Sequence, residues 1–319
     1  MEGLTIPKRM QWLALLLALT IGACGTQSPG SPASGRSTTP TATGSLDAAK
    51  EARAAAVLEN WHSALRQQPG HRALAITSPI TFATGSWPAS MDPGAAKIAY
   101  LAGQVVAASD LDAATPPEGT VSWSDGVTER FATLSGMEAL AEMRAEGDAD
   151  CGCEPLVISA ARATHMTVTT SVGPATVPAW EFVLDLPENT ITRIAVPAAS
   201  RTEVRPLDEF PGHRIEAATA GEYGRRVTVG VVGSPQPATE PCGEDYGAMV
   251  VEADDAIVVF VETIRAHRSE SRTPCVAIGA FRQVTVRLSQ PLRGRALLDA
   301  KDGQPIPLDP GSFEVPNGG

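Results

Sequence analysis

The chain has 319 residues, of which 36 are acidic and 25 are Lys or Arg, so its formal net charge at pH 7 is -11. This acidic balance argues against nucleic acid as a partner and against a polybasic contact with a membrane. Hydrophobic residues make up 43% of the chain and charged residues 19%, as in ordinary globular proteins. The length suffices for one large domain or for two domains of common size.

The N-terminus has the pattern of an export signal. Two cations, Lys8 and Arg9, precede an apolar run over residues 12–21, and small residues follow it. The run is too short for a transmembrane helix, which needs about 20 apolar residues, and its length is typical of a secretory signal. We therefore expect residues 1–23 to be a cleaved signal peptide.

The residues Ile21-Gly22-Ala23-Cys24 resemble the lipobox of bacterial lipoprotein precursors. This resemblance implies that the thiol of Cys24 carries diacylglycerol, that a type II signal peptidase cuts before it, and that acyl chains such as palmitate anchor the protein. Two or more chains give stable anchoring, whereas a single chain binds a membrane only marginally. The expected location is the extracytoplasmic face of the cell membrane. The alternative is an ordinary secreted protein in which Cys24 has no such role.

Three stretches of the body also resemble uncharacterised secreted lipoproteins of actinobacteria. They are VPAWEF at 177–182, PCGEDYGAMVVE at 241–252, and CVAIG together with VTVRLSQPL within 275–292. This resemblance implies an envelope protein and carries no fold or activity with it.

A tether is predicted between the anchor and the body. Residues 25–44 consist almost wholly of Gly, Ser, Thr, Pro and Ala. Such a stretch has too few apolar residues to offset the entropy lost on ordering, so we expect residues 24–45 to be disordered. A flexible coil of about 20 residues has a root-mean-square span of about 25 Å, which carries a folded body clear of the lipid headgroups.

Residues 46–205 are predicted to form an α+β domain that begins with a helix. Ser45 can serve as the N-cap of a helix over residues 45–67, which Pro69 and Gly70 end. Its apolar positions follow helical spacing, so we expect Trp61 to lie in the core and His62 at its boundary.

The rest of this domain reads mainly as strands. Residues 97–107 can form either a strand or a helix, and the sequence Val105-Val106 beside Gly103 favours the strand. Residues 124–126 form a turn between paired strands, and Ser135 with Glu138 matches a capping box that starts a second helix. Residues 155–196 are predicted to form an antiparallel meander. Trp180 lies on the apolar face of one of its strands, so we expect its side chain in the core.

Residues 206–319 are predicted to form a separate all-β domain, a small sandwich or barrel, after a boundary within residues 197–212. Residues 249–251 and 256–261 read as a hairpin, and the continuous apolar run at 257–261 suits a central strand covered on both faces. Residues 296–298 and 305–308 flank a second predicted turn at 301–303. The predicted fold class is thus α+β, with an N-terminal helix and antiparallel sheet followed by a mostly-β part.

Four cysteines remain beside Cys24, and an even number in an exported chain predicts disulfide bonds. Of the three possible pairings we favour Cys242 with Cys275, which flank the central hairpin and close a loop worth about 3 to 4 kcal/mol. Cys151 and Cys153 then form a local bridge that constrains little, because loop-closure entropy grows with loop length. Two alternatives stay open: crossed pairing between the two halves, and a redox or Cu(I)-binding role for Cys151 and Cys153.

No catalytic signature is present in the sequence. There is no His-Glu-x-x-His motif, no Gly-x-Ser-x-Gly elbow, no phosphate loop and no dinucleotide fingerprint. We therefore expect no cofactor and a non-catalytic binding or accessory role toward an envelope protein or ligand, with the membrane contacted through the lipid anchor. One alternative is an extracytoplasmic hydrolase with a site assembled from scattered residues. The other is a metal or redox protein that uses Cys151 and Cys153.

Overall fold

The computed structural model describes residues 47–68, 70–77, 80–83, 93–108, 110–111, 115–147, 151–185, 189–267, 275 and 278–309. The predicted signal peptide, Cys24, the tether and the proposed cap Ser45 lie outside the described residues. Every described element belongs to one compact unit, Thr39–Gly319.

The described residues form three α-helices and fourteen strands. The helices are α1 (Ala48–Arg66), α2 (Pro93–Leu101) and α3 (Gly136–Glu146). The strands of the N-terminal half are β1 (Ile80–Ala83), β2 (Val105–Ala107), β3 (Thr120–Trp123), β4 (Thr128–Arg130), β5 (Leu156–Thr170), β6 (Gly173–Leu184) and β7 (Thr190–Ile194). Those of the C-terminal half are β8 (Ile215–Ala220), β9 (Arg226–Gly233), β10 (Glu244–Glu252), β11 (Ala256–Ala266), β12 (Ala280–Arg287), β13 (Ala296–Asp299) and β14 (Leu308–Asp309). This confirms the α+β class with a mostly-β C-terminal part.

The N-cap of α1 lies two residues later than the sequence predicted. The N-cap is Asp47, whose Oδ1 accepts a hydrogen bond from the backbone N–H of Lys50 at 2.9 Å. An N-cap carboxylate satisfies one of the free N–H groups of the first turn and interacts favourably with the helix dipole. Trp61 is buried and His62 is partly exposed, both as predicted. No helix in the described part of the chain is long and apolar enough to cross a bilayer.

The N-terminal half is organised by the long antiparallel hairpin of β5 and β6. On the side away from β5, the first half of β6 pairs with β3 and its second half pairs with β7. Strands β4 and β1 extend these two branches, and β2 adds to β5 in parallel, which completes a seven-stranded sheet. The predicted meander over residues 155–196 is confirmed as β5, β6 and β7.

Helices α2 and α3 pack on one face of this sheet. The shared core combines apolar residues of both helices with the alternate residues Trp180, Phe182 and Leu184 of β6. Trp180 is fully buried, and its Nε1 donates a hydrogen bond to the carbonyl of Leu134 at 2.9 Å. The predicted core position of Trp180 is confirmed, and its polar atom has a partner inside the core, as buried indoles usually do.

The strand prediction for residues 97–107 is correct only for its end. Residues up to Leu101 belong to α2, where Ala96, Ala99 and Tyr100 are buried at helical spacing. The chain then turns at Gly103, which has φ +70°, and a Cβ there would lie 2.6 Å from the carbonyl oxygen of Arg144. Glycine is required at this position because the turn combines positive φ with close approach of α3.

The C-terminal half is a sandwich of two sheets. One has the order β10-β11-β13 and the other β12-β9-β8-β14, and their facing side chains share one core. In β11, Ile257 and Val259 face the second sheet, whereas Val258 and Phe260 face α1. Both faces of β11 are therefore buried, which confirms the prediction of a central strand from the continuous apolar run.

Helix α1 covers the outer face of the three-stranded sheet. Val57 and Trp61 of the helix pack in one core cluster with Val258 and Phe260 of β11 and with Leu298 of β13. This contact crosses the boundary predicted between residues 205 and 206, so α1 forms a third layer on the C-terminal sandwich.

The predicted second turn of this half exists, but the hairpin around it is minimal. Gly303 has φ +75°, and Leu298 and Pro305 form a single bridge across the turn. The chain then leaves the three-stranded sheet, and Leu308 pairs in parallel with Ala218 in the other sheet. The segment after the turn therefore links the two sheets of the sandwich.

Candidate functional site

The structure pairs Cys242 with Cys275 and Cys151 with Cys153, which is the pairing favoured from the sequence. Cys242 lies just before β10, and the β10–β11 hairpin returns the chain to the same end of the sandwich. There the backbone N–H of His267 donates to the carbonyl of Gly243 at 2.9 Å. Disulfide bonds are therefore present as predicted, and the crossed pairing is not formed.

The Cys151–Cys153 bridge closes a loop of three residues. Gly152 between them has φ +56°, a conformation that L side chains rarely adopt. Cys153 packs against the core formed by α2, α3 and the sheet. In this oxidised form the two sulfurs carry no thiolate for a soft metal ion. Across the described ranges, no three His, Cys, Asp or Glu side chains are grouped to hold a metal ion.

Three described histidines each contact one polar side chain. The pairs are His62 with Asp255 at 3.1 Å, His71 with Glu129 at 3.4 Å, and His213 with Thr263 at 2.9 Å. A hydrolytic triad needs a nucleophile and a carboxylate on the same imidazole. Within the part of the chain that the structure describes, the hydroxyl and the carboxylates contact different histidines, so these pairs do not form such a triad.

A group of interacting polar side chains surrounds Tyr246 at the start of β10. Its hydroxyl donates to Glu244 Oε2 at 2.7 Å and accepts from the backbone N–H of Ser234. The guanidinium of Arg282 lies 5.5 Å from the ring centroid, and the His213 ring meets the tyrosine edge-on at 4.8 Å. Burial, together with the hydrogen bond to Glu244, raises the pKa of Tyr246 to about 12.

This group holds the loop between β9 and β10 that carries Cys242. Arg282 donates to the carbonyls of Ser234 at 2.7 Å and Gln236 at 3.1 Å, and the Ser234 hydroxyl donates to the Cys242 carbonyl at 2.9 Å. Cys242 itself has φ +62°. A phenol is protonated at neutral pH, and the raised pKa of Tyr246 extends that form further into the alkaline range, so its hydroxyl is a fixed hydrogen-bond donor.

A second buried polar group lies at the end of β13. Asp299 is 3% exposed, and burial raises the pKa of its carboxyl to about 6. Its two oxygens accept hydrogen bonds from the backbone N–H groups of Ile215 and Lys301, both at 2.9 Å. Asp302, a largely buried residue of the same turn, pairs with Arg214 at 2.6 Å. These contacts fix the crossing between the two sheets.

Neither Tyr246 nor Asp299 is recognisable as a site residue from the sequence alone. Each is a polar residue beside an apolar stretch, Tyr246 near the start of β10 and Asp299 at the end of β13. This position is the one feature in the sequence that could have pointed to them. Polar residues are common at strand ends, so this feature predicts a turn but not the side chains that the residue contacts.

Comparison of the chain with protein-family models, with curated proteins and with solved structures found no match.

Proposed function

We propose that the protein is a lipid-anchored lipoprotein of the cell envelope, exposed on the extracytoplasmic face of the membrane, with a binding or accessory role. The observation that carries the proposal is the state of the five cysteines. Four of them form two disulfide bonds in the body, which leaves Cys24, within the lipobox-like sequence, as the cysteine available for lipidation. Stable disulfides are typical of compartments outside the cytoplasm.

The binding or accessory role is supported by what the polar groups around Tyr246 and Asp299 do. The Tyr246 group holds the disulfide loop, and the Asp299 group holds the crossing between the sheets. Each of these titratable groups is used to position backbone, which is the role of a scaffold. The surface of such a scaffold is then the part that meets a partner.

The test is a Cys24→Ser variant of the full chain produced in a bacterium with lipoprotein processing. We expect the wild-type chain to incorporate labelled palmitate and to sediment with the membrane. The variant should incorporate none, and it should be released or remain unprocessed. The double variant Cys151→Ser/Cys153→Ser is the matched control, because it removes two cysteines and keeps the anchor. Unchanged labelling and membrane attachment of Cys24→Ser would overturn the proposal.

A further inference from the structure

One end of the C-terminal sandwich carries an exposed basic and aromatic surface, the arginine patch, formed by Tyr223, Arg225, Arg226, Arg287 and Arg293. Arg226 is the first residue of β9 and Arg287 the last residue of β12, and the two are directly opposite in the antiparallel register. Residues in such positions have Cβ atoms about 5 Å apart, where like charges are destabilising. All four arginines are exposed.

Local hydrogen bonds hold the patch together. The guanidinium of Arg225 donates to the carbonyl of Ser289 at 2.9 Å, just beyond Arg287. The backbone N–H of Leu292 donates to the carbonyl of Gly224 at 2.8 Å, which brings Arg293 to the turn that carries Tyr223. Residues from three separate stretches of sequence therefore meet at this end of the sandwich.

Tyr223 is displayed by a strained turn. Its φ is +66°, and 82% of its surface is exposed. Among the described residues, no other large apolar or aromatic side chain is as exposed. The turn is fixed by hydrogen bonds from the N–H of Gly224 to Gly221 at 2.9 Å and from the N–H of Gly221 to Arg226 at 2.8 Å. A positive φ at a bulky residue is unfavourable, and here the ring gains no burial to offset it.

The charge of the patch is not neutralised within the described residues. Arg226, Arg287 and Arg293 form none of the ion pairs there, and Arg225 contacts only a carbonyl. The neighbouring carboxylate of Glu252 is already bound by Arg295 at 2.9 Å and by the N–H of Ser289 at 2.6 Å. Among the described side chains, a chain with net charge -11 therefore presents a local positive surface here.

We propose that the arginine patch docks the body on the anionic phospholipid headgroups of a membrane surface. Arginine pairs with phosphate groups in bidentate geometry, and tyrosine is enriched at the level of the headgroups. An exposed ring beside unpaired guanidinium groups fits that boundary. The membrane would be the one in which the lipid anchor is inserted, and this part of the inference rests on the proposed lipidation of Cys24.

The size of the effect follows from the charge. An arginine close to an anionic leaflet strengthens partitioning by about fivefold, so loss of two arginines should weaken binding by about 30-fold. The attraction is screened within about one Debye length, and binding should fall as salt is raised. Removal of the tyrosine ring should weaken binding less than removal of two charges, because one partly inserted ring adds a smaller apolar contribution.

The experiment uses the unit Thr39–Gly319, which contains every described element and lacks Cys24. Its sedimentation with phosphatidylcholine vesicles is compared with that on vesicles that also contain phosphatidylglycerol. We expect salt-sensitive binding to the anionic vesicles alone, and a loss of about 30-fold in the double variant Arg226→Gln/Arg287→Gln. The matched control, Arg130→Gln/Arg162→Gln, removes two exposed arginines of the N-terminal sheet and should bind within about twofold of the wild type.

Several results would overturn the inference. They are absence of binding to anionic vesicles, equal binding to both kinds of vesicle, and equal loss in the two double variants. Preference for soluble inorganic polyphosphate over phosphatidylglycerol vesicles would also reject lipid as the ligand. Thermal unfolding of each variant reports on folding separately. Because this unit carries no lipobox, failure here leaves the palmitate experiment on Cys24 unaffected, and failure of that experiment leaves this one valid.

Discussion

Asp299 and Ile215 join the two sheets of the C-terminal sandwich through one buried hydrogen bond. The carboxylate at the end of β13 accepts from the backbone N–H at the start of β8, 84 positions earlier, at 2.9 Å. The same carboxylate is 3% exposed, and burial raises its pKa from 3.8 to about 6. The contact is therefore coupled to a protonation that occurs in a mildly acidic environment.

This coupling predicts a pH dependence of stability. Between pH 3.8 and about 6 the folded protein holds a proton on Asp299 that the unfolded chain has lost. Stability from this group is greatest below that window and decreases as pH rises through it, by at most about 3 kcal/mol. The unfolding free energy is measured in urea at about pH 4 and at about pH 7. We expect it to decrease between these two pH values by less in Asp299→Asn than in the wild type, because the variant lacks the titrating carboxyl. Equal losses in the two proteins would contradict the assignment.

Two buried tryptophans give a matched test of one hydrogen bond. Trp180 and Trp123 are 0% and 3% exposed, but only Trp180 donates from Nε1, to Leu134. Among the described residues, Trp123 Nε1 is buried without a partner. Substitution by Phe removes similar volume at both sites, and at 180 it also leaves a buried carbonyl unsatisfied. We expect Trp180→Phe to lower the unfolding free energy by about 1 to 3 kcal/mol more than Trp123→Phe. Equal effects in urea unfolding would show that this hydrogen bond contributes little.

The two disulfide bonds should differ strongly in their contribution to stability. Cys242 and Cys275 are 33 positions apart, whereas Cys151 and Cys153 are two apart. In the chain-entropy model, replacing the first pair by Ser lowers the unfolding free energy by about 3 to 4 kcal/mol, and replacing the second pair lowers it by less than half as much. Chemical denaturation of the two double variants measures both values. A larger effect at 151 and 153 would indicate a role for that bridge beyond loop closure.

The cysteine pairing also predicts a thiol count. The unit Thr39–Gly319, purified without reductant and denatured, should show no free thiol and release four after reduction. Titration with a chromogenic disulfide reagent gives this count, and peptide mapping identifies the pairs. Two free thiols at Cys151 and Cys153 in the protein as purified from the envelope would instead support the redox or metal alternative.

Several features of the fold were predictable because they depend on short stretches of sequence. The capping box of Ser135 and Glu138 forms as expected, since both partners lie within one helical turn. The alternation of β6 and the apolar run of β11 likewise predicted which side chains are buried. The error at residues 97–107 arose because a short apolar stretch does not distinguish helix from strand without its tertiary neighbours.

The arginine patch shows what composition conceals. A net charge of -11 argued against a basic contact with a membrane, but net charge is an average over the whole chain. The patch gathers residues 223–226, 287 and 293, and strand pairing is what places Arg226 opposite Arg287. No local pattern in the sequence joins these positions.

By itself, the sequence determined the α+β class and the periodicity of the main helices and strands. It also predicts the export and lipidation signal around Cys24. These follow from the order of charged, apolar and small residues and from side-chain spacing. Tertiary structure alone decided that α1 covers the C-terminal sheet, that Asp299 is buried against Ile215, and that four arginines meet at one end of the sandwich. An apolar face or a charge in the sequence specifies that a partner is needed, whereas long-range packing selects which partner it meets.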